Sequence, residues 1–157
     1  MSDLLRVSEA ASLAIHTMAL LAKNGGRHLS TRELATMLHA SEHTLAKVLQ
    51  RLAKAGLVES VRGPYGGFML RRPADETKLL EVFESIEGPL SPPSCLLGTP
   101  ICGGKECVLG GLVQSINWQV ATYLAETSLA RLASSVCLGD GTAVLPGGQK
   151  VTRRESG

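Results

Sequence analysis

Aromatic side chains are scarce in this 157-residue chain: two Phe, two Tyr and one Trp, 3% of the total, against 44% apolar residues overall. A core with so few rings must be built from Leu, Val, Ile and Ala, which favours packed helices over a sheet sandwich. Long hydrophobic runs are missing too, and none approaches the roughly 18–20 residues of a membrane span. The N-terminus "MSDLLRVSEA" carries an acid where a signal peptide would be basic and then apolar, so the expected location is the cytoplasm, with no membrane partner. In that reducing compartment, clustered cysteines are more often ligands or redox centres than structural disulfides. The chain has no phosphate loop, no nucleophile elbow, and no pair of titratable groups outside its cysteine loop spaced for acid–base work, so an enzyme is not expected. There are no internal repeats, and the length allows one domain with an appendage.

The net charge of +2 hides a division along the chain. Arg27 to Arg72 holds eight Lys and Arg against Glu33, Glu42 and Glu59, a local +5, whereas Pro73 to Ala130 holds two against seven acids, a local −5. Only the first half is a candidate surface for a polyanion.

That half reads as a short helical unit. Apolar residues at helical spacing from Glu9 to Asn24, ended by "NGG", predict a first helix. In "LSTRELATMLHA", Ser30 followed by Glu33 has the form of a capping box, opening a second helix over Thr31 to Leu38. Ser41 can cap a third, in which Leu45, Val48, Leu49 and Leu52 form one stripe and His43, Lys47, Arg51 and Lys54 the opposite one, before Gly56. Two capped helices joined by a tight turn, the second with bases outward, predict a helix-turn-helix. In "LVESVRGPYGGFMLRR", strand-forming residues Leu57 to Val61 and Phe68 to Leu70 flank a Gly/Pro turn, which predicts a two-stranded wing with Arg62 and Arg71 on its shoulders. The DNA-contacting set expected from this order is Ser30, Thr31, Ser41, His43, Thr44, Lys47, Arg51, Arg62, Gly63, Tyr65 and Gly66, with His43, Thr44 and Lys47 in the major groove of double-stranded promoter DNA.

Beyond Pro73 an acidic-faced helix ends at Gly88 and Pro89. Residues 89 to 111 then hold four prolines, five glycines and the cysteines Cys95, Cys102 and Cys107, with six and four residues between them. That spacing is neither a zinc ribbon nor a ferredoxin run. From the residues alone the three could form a metal site, a redox switch or a set of buried thiols. Gly103, Gly104, Gly110 and Gly111 would let backbone amides approach an anionic centre there. From Leu112 to Ala133 a long helix is apolar on most sides and needs a second partner, for which the same helix of another subunit is the natural one. The tail from about Ser134 has little apolar content and reads as disordered, with Cys137 a spectator. His16, His28 and His39 are weaker ligand candidates, and the last two are expected at the surface.

"LAKVLQRLAKA" followed by "GLVESVRGPYGGFMLRRP" resembles the winged-helix signature of the bacterial IscR, NsrR and RirA regulators of the Rrf family. The likeness extends over about residues 1 to 133, including "FESIEGP", the cysteine loop and the Trp-containing helix. It implies a mostly α winged helix-turn-helix with a two-stranded wing and a long C-terminal dimerisation helix. The expected division is 1–88 for DNA binding, 89–111 for the cysteine loop, 112–133 for dimerisation and 134–157 for the tail. It also implies a homodimer on near-palindromic sites and an iron–sulfur cluster, 4Fe-4S or 2Fe-2S, on Cys95, Cys102 and Cys107. DNA affinity would then follow redox state, nitric oxide, oxygen or the supply of iron and clusters.

The middle cysteine stands one place from the family's five-and-five spacing, and Gly110 replaces the His of the IscR branch. The NsrR branch instead takes an N-terminal carboxylate from the partner subunit, which puts Glu9 forward as fourth ligand; Glu9 is equally an ordinary acid at a helix N-terminus. The alternative is a cluster-free or zinc-bound regulator whose cysteines act as a thiol switch or a structural site.

Overall fold

The computed structural model describes residues 7–90, 101, 107–136, 142–144 and 150–152. The chain runs through α1 (Glu9–Lys23), α2 (Thr31–Leu38), α3 (Glu42–Lys54), β1 (Val58–Val61), β2 (Gly67–Leu70), α4 (Leu79–Glu87), α5 (Val108–Glu126), α6 (Leu129–Ser135), β3 (Thr142–Val144) and β4 (Lys150–Thr152). It is mostly helical, as the shortage of aromatics predicts. The core is aliphatic, drawing Met18 and Leu21 from α1, Leu34 from α2, Leu45, Leu49 and Leu52 from α3, and Val82 and Ile86 from α4.

Each early helix starts where a serine can serve its first free amides. Ser8 Oγ accepts from Ala11 N (3.1 Å), Ser30 Oγ from Glu33 N (3.2 Å) and Ser41 Oγ from Thr44 N (3.0 Å). The wing is antiparallel, with Val58 opposite Leu70 and Val61 opposite Gly67. Leu29 extends it: Leu29 N donates to Phe68 O (3.0 Å) and Phe68 N to Leu29 O (2.8 Å). The residue before the α2 cap is therefore a one-residue third strand.

Short α4 is central, packing against α1, α3 and α5, while α1 also covers α6. Among the described residues no helix is long and apolar enough to cross a membrane.

Three boundaries differ from the sequence reading. The helix expected over 112–133 is two helices, α5 and α6, broken at Thr127, because Ser128 Oγ caps a new first turn by accepting from Arg131 N (3.3 Å). The break is also tied to the start of α4: Leu79 N donates to Thr127 O (3.0 Å) and Leu129 N to Thr77 O (2.8 Å). The cysteine loop, expected to reach residue 111, ends at Cys107, since α5 takes in Gly110 and Gly111. In the tail, α6 continues through Ser135, and β3 pairs antiparallel with β4, Ala143 opposite Val151. Thr142, Val144, Val151 and Thr152 in these strands are β-branched, the side-chain type that strands favour.

Candidate nucleic-acid interface and cysteine loop

The recognition helix is α3. Leu45, Val48, Leu49 and Leu52 are buried, which turns His43, Lys47, Arg51 and Lys54 outward, and Gln50 is exposed among them, a polar group the charge pattern did not single out. Ser41 Oγ donates to Thr44 Oγ1 (2.7 Å), so both hydroxyls are already held at the start of the helix. The turn from α2 into α3 passes through His39, exposed and left-handed (φ 51°).

At the start of α2 the expected capping box is complete. Glu33 Oε2 accepts from Ser30 N and Ser30 Oγ, both at 2.8 Å, and Arg27 Nη2 lies 2.8 Å from Glu33 Oε1. The Ser30 amide first, then its hydroxyl and the charge of Arg27, hold the Glu33 carboxyl below its usual value despite some desolvation. The Ser30 hydroxyl is thus engaged within the chain, and Thr31 is half-buried.

The wing turn is closed by Gly66 N donating to Gly63 O (3.0 Å). At its tip Tyr65 is 93% exposed, and Arg62 and Gly63 are exposed beside it. Gly66 and Gly67 are dictated by close approach: a Cβ would stand 2.0 Å from Val61 O at the first and 2.6 Å from Leu29 O at the second. Between the wing and the α2 cap lies a polar cleft of about 530 Å³ lined by Arg27, His28, Ser30, Glu33, Pro64 and Tyr65. His28, expected at the surface, is half-buried here, and its Nε2 is buried without a hydrogen-bond partner. Arg27 and His28, which precede the cap and lie on no stripe, line this cleft outside the expected DNA-contacting set.

Of the cysteines expected to bind a cluster, Cys95 and Cys102 lie outside the described residues, as does Cys137. Cys107 is a half-buried free thiol and the N-cap of α5, its Sγ accepting from Gly110 N (3.2 Å). Gly110, in the first turn of α5, thus delivers its amide to the sulfur at the positive end of a 19-residue helix. Thiolates are the donors that iron–sulfur clusters take, so Cys107 fits the expected ligand role in both chemistry and setting. Glu9 is exposed in the first turn of α1, and among the described residues no three His, Cys, Asp or Glu side chains converge on one point. His16 is exposed, with Nδ1 2.7 Å from Ser12 O.

The last turn of α4 joins three parts of the molecule. Arg51 Nη2, from the outward stripe of α3, donates to the Ile86 carbonyl (2.5 Å). Glu87 Oε1 accepts from the amide (3.3 Å) and hydroxyl of Ser8, the cap of α1. Glu84 Oε1 accepts from Leu90 N (3.1 Å), where the cysteine loop departs.

A capped helix-turn-helix followed by a wing, with bases along the outer face of its second helix, defines a winged-helix DNA-binding protein. The sequence profile of the Rrf2 family, described as iron-dependent transcriptional regulators, matches residues 7–135. IscR of Cereibacter sphaeroides is 38% identical over 125 residues, covering 76% of this chain and 79% of its own. Among solved structures, CymR of B. subtilis, described as its global cysteine regulator, superposes with a TM-score of 0.73 at 30% identity over 85% of this chain and 99% of that one. IscR of T. potens superposes with a TM-score of 0.67 at 25% identity over 83% and 87%. The chain belongs to the Rrf2 family of transcription regulators, which act by binding DNA and not as enzymes.

Proposed function

We propose that this regulator is a homodimer whose affinity for promoter DNA is set by an iron–sulfur cluster held by Cys95, Cys102 and Cys107, with Glu9 of the partner subunit as fourth ligand. The observation that carries the reading is the capping sulfur of Cys107, which receives the Gly110 amide at the N-terminus of α5. The 38% identity to an IscR supports it.

The three thiolates would hold the cluster, and a carboxylate, a harder and more exchangeable ligand, would leave one iron open to nitric oxide, oxygen or loss. His43, Thr44 and Lys47 read base edges, while the amides at the α2 and α3 caps and Arg62, Gly63, Tyr65 and Gly66 of the wing meet the phosphate backbone or minor groove. Ser30, Thr31 and Ser41 serve by placing those amides.

A second reading, that the cysteines form a thiol switch or a zinc site, is favoured by the likeness to CymR. The two are separated by purifying the protein without oxygen, recording its visible spectrum and assaying iron and acid-labile sulfide. Coloured protein containing both is expected, with Cys107→Ala colourless and Glu9→Ala coloured but quicker to bleach in air. Colourless, iron-free protein with full DNA affinity selects the second reading.

A further inference from the structure

We infer that Arg51 is a positioning residue that links the cysteine loop to the recognition helix, and not one of the phosphate contacts its place on the basic stripe suggests; the inference rests on cluster control of DNA affinity as proposed above. Lys47 and Arg51 are one helical turn apart on the same exposed face of α3, yet among the described residues Arg51 is the member of the stripe that donates to another element. Its acceptor is well chosen. The last carbonyls of a helix have no partner inside it, and a guanidinium there satisfies one and complements the negative end of the dipole. Ile86 is also the residue next to Glu87, which holds the α1 cap, and two from Glu84, whose carboxylate holds the Leu90 amide. Both routes by which a bound group could pull on the chain, the cysteine loop after Leu90 and the α1 N-terminus bearing Glu9, therefore arrive at one helical turn. Arg51 is the side chain that carries that turn's position to α3. A displacement of the last turn of α4 either moves α3 with it or frees the guanidinium, and each changes how α3 meets DNA.

The test uses full-length protein reconstituted with ferrous iron and sulfide under nitrogen, and the same protein stripped of metal. The probe is a duplex selected by the wild-type protein from a random-sequence pool. Kd is measured for both forms by fluorescence anisotropy across a range of salt. Wild type is expected to show a difference between loaded and stripped forms of about 5- to 150-fold. Arg51→Met, which keeps the aliphatic stem, is expected to bring that ratio to within about twofold of unity while leaving the dependence of log Kd on log salt at its wild-type slope. Circular dichroism checks that the variant is folded, and Arg51→Gln carries the same expectation if it is not. A variant that keeps the wild-type ratio, or that weakens both forms equally and lowers the salt slope by about one phosphate contact, overturns the inference and returns Arg51 to the DNA. A wild-type protein with no difference between its forms overturns the functional reading and this inference together.

Discussion

Glu33 and Glu81 each stand three residues after a helix cap and turn their carboxylates back onto its amide, and each is paired with an arginine. At Glu81, partial burial pushes the carboxyl up. The hydrogen bond from Arg72, the Lys78 amide and the two positive charges outweigh it and hold the group below its ordinary 4.5. A carboxyl depressed in the folded state stabilises the fold above its unfolded value, and that contribution is lost as pH falls through the folded one. Urea unfolding of wild type and Glu81→Gln should therefore show a deficit for the variant of under about 1 kcal/mol at pH 7, since the pair is partly exposed. The deficit should shrink as pH drops below 4.5. A deficit that stays constant into acid would mean that packing, not charge, is what the substitution removes.

Among the elements, the wing and α3 make separable contributions to binding. Gly66→Ala places a Cβ 2.0 Å from Val61 O and must open the turn, so DNA affinity should fall at least tenfold with the helical circular dichroism of the protein intact. Lys47→Ala removes a charge without moving backbone. Its affinity loss should come with a salt slope reduced by about one, read by anisotropy, whereas Gly66→Ala can lose several contacts at once.

The elements also show what a one-dimensional reading reaches. Ser30 with Glu33, Ser41 before its apolar stripe, and the Gly-Pro-Tyr-Gly-Gly turn carry their own local signals, and those elements are where their residues predict. Ser128 carries a cap signal as well, but Leu124 before it and Leu129 and Leu132 after it continue one apolar pattern, which masks the break at Thr127. The Leu29–Phe68 pairing spans one residue and no pattern of period two can reveal it. The bond from Arg51 to Ile86 joins residues 35 positions apart, and a stripe of like charges does not show which member is spoken for.

At the scale of the whole molecule, α5 keeps several large apolar side chains exposed among the described residues. Its principal packing partner is α4, and Leu109, Leu112, Trp118 (75% exposed) and Tyr123 remain in solvent. A groove of about 700 Å³ lined by Leu90, Ser115, Trp118 and Ala121 runs beside them. The sequence called for a second partner for this helix, and a second copy would cover it, as proposed above. Leu112→Asp combined with Trp118→Glu should then sediment as monomer at concentrations where wild type is a dimer. Operator affinity should fall by at least tenfold as the second half-site contact is lost. A variant that remains dimeric would place the interface on another face.

The two hydrogen bonds exchanged by Leu29 and Phe68 join two parts of the proposed DNA surface. They fasten the base of the wing to the residue that precedes the α2 cap. A phosphate contact made by the wing and one made at the start of α2 therefore sit on one connected stretch of backbone, and a change in the register of β2 is felt at both.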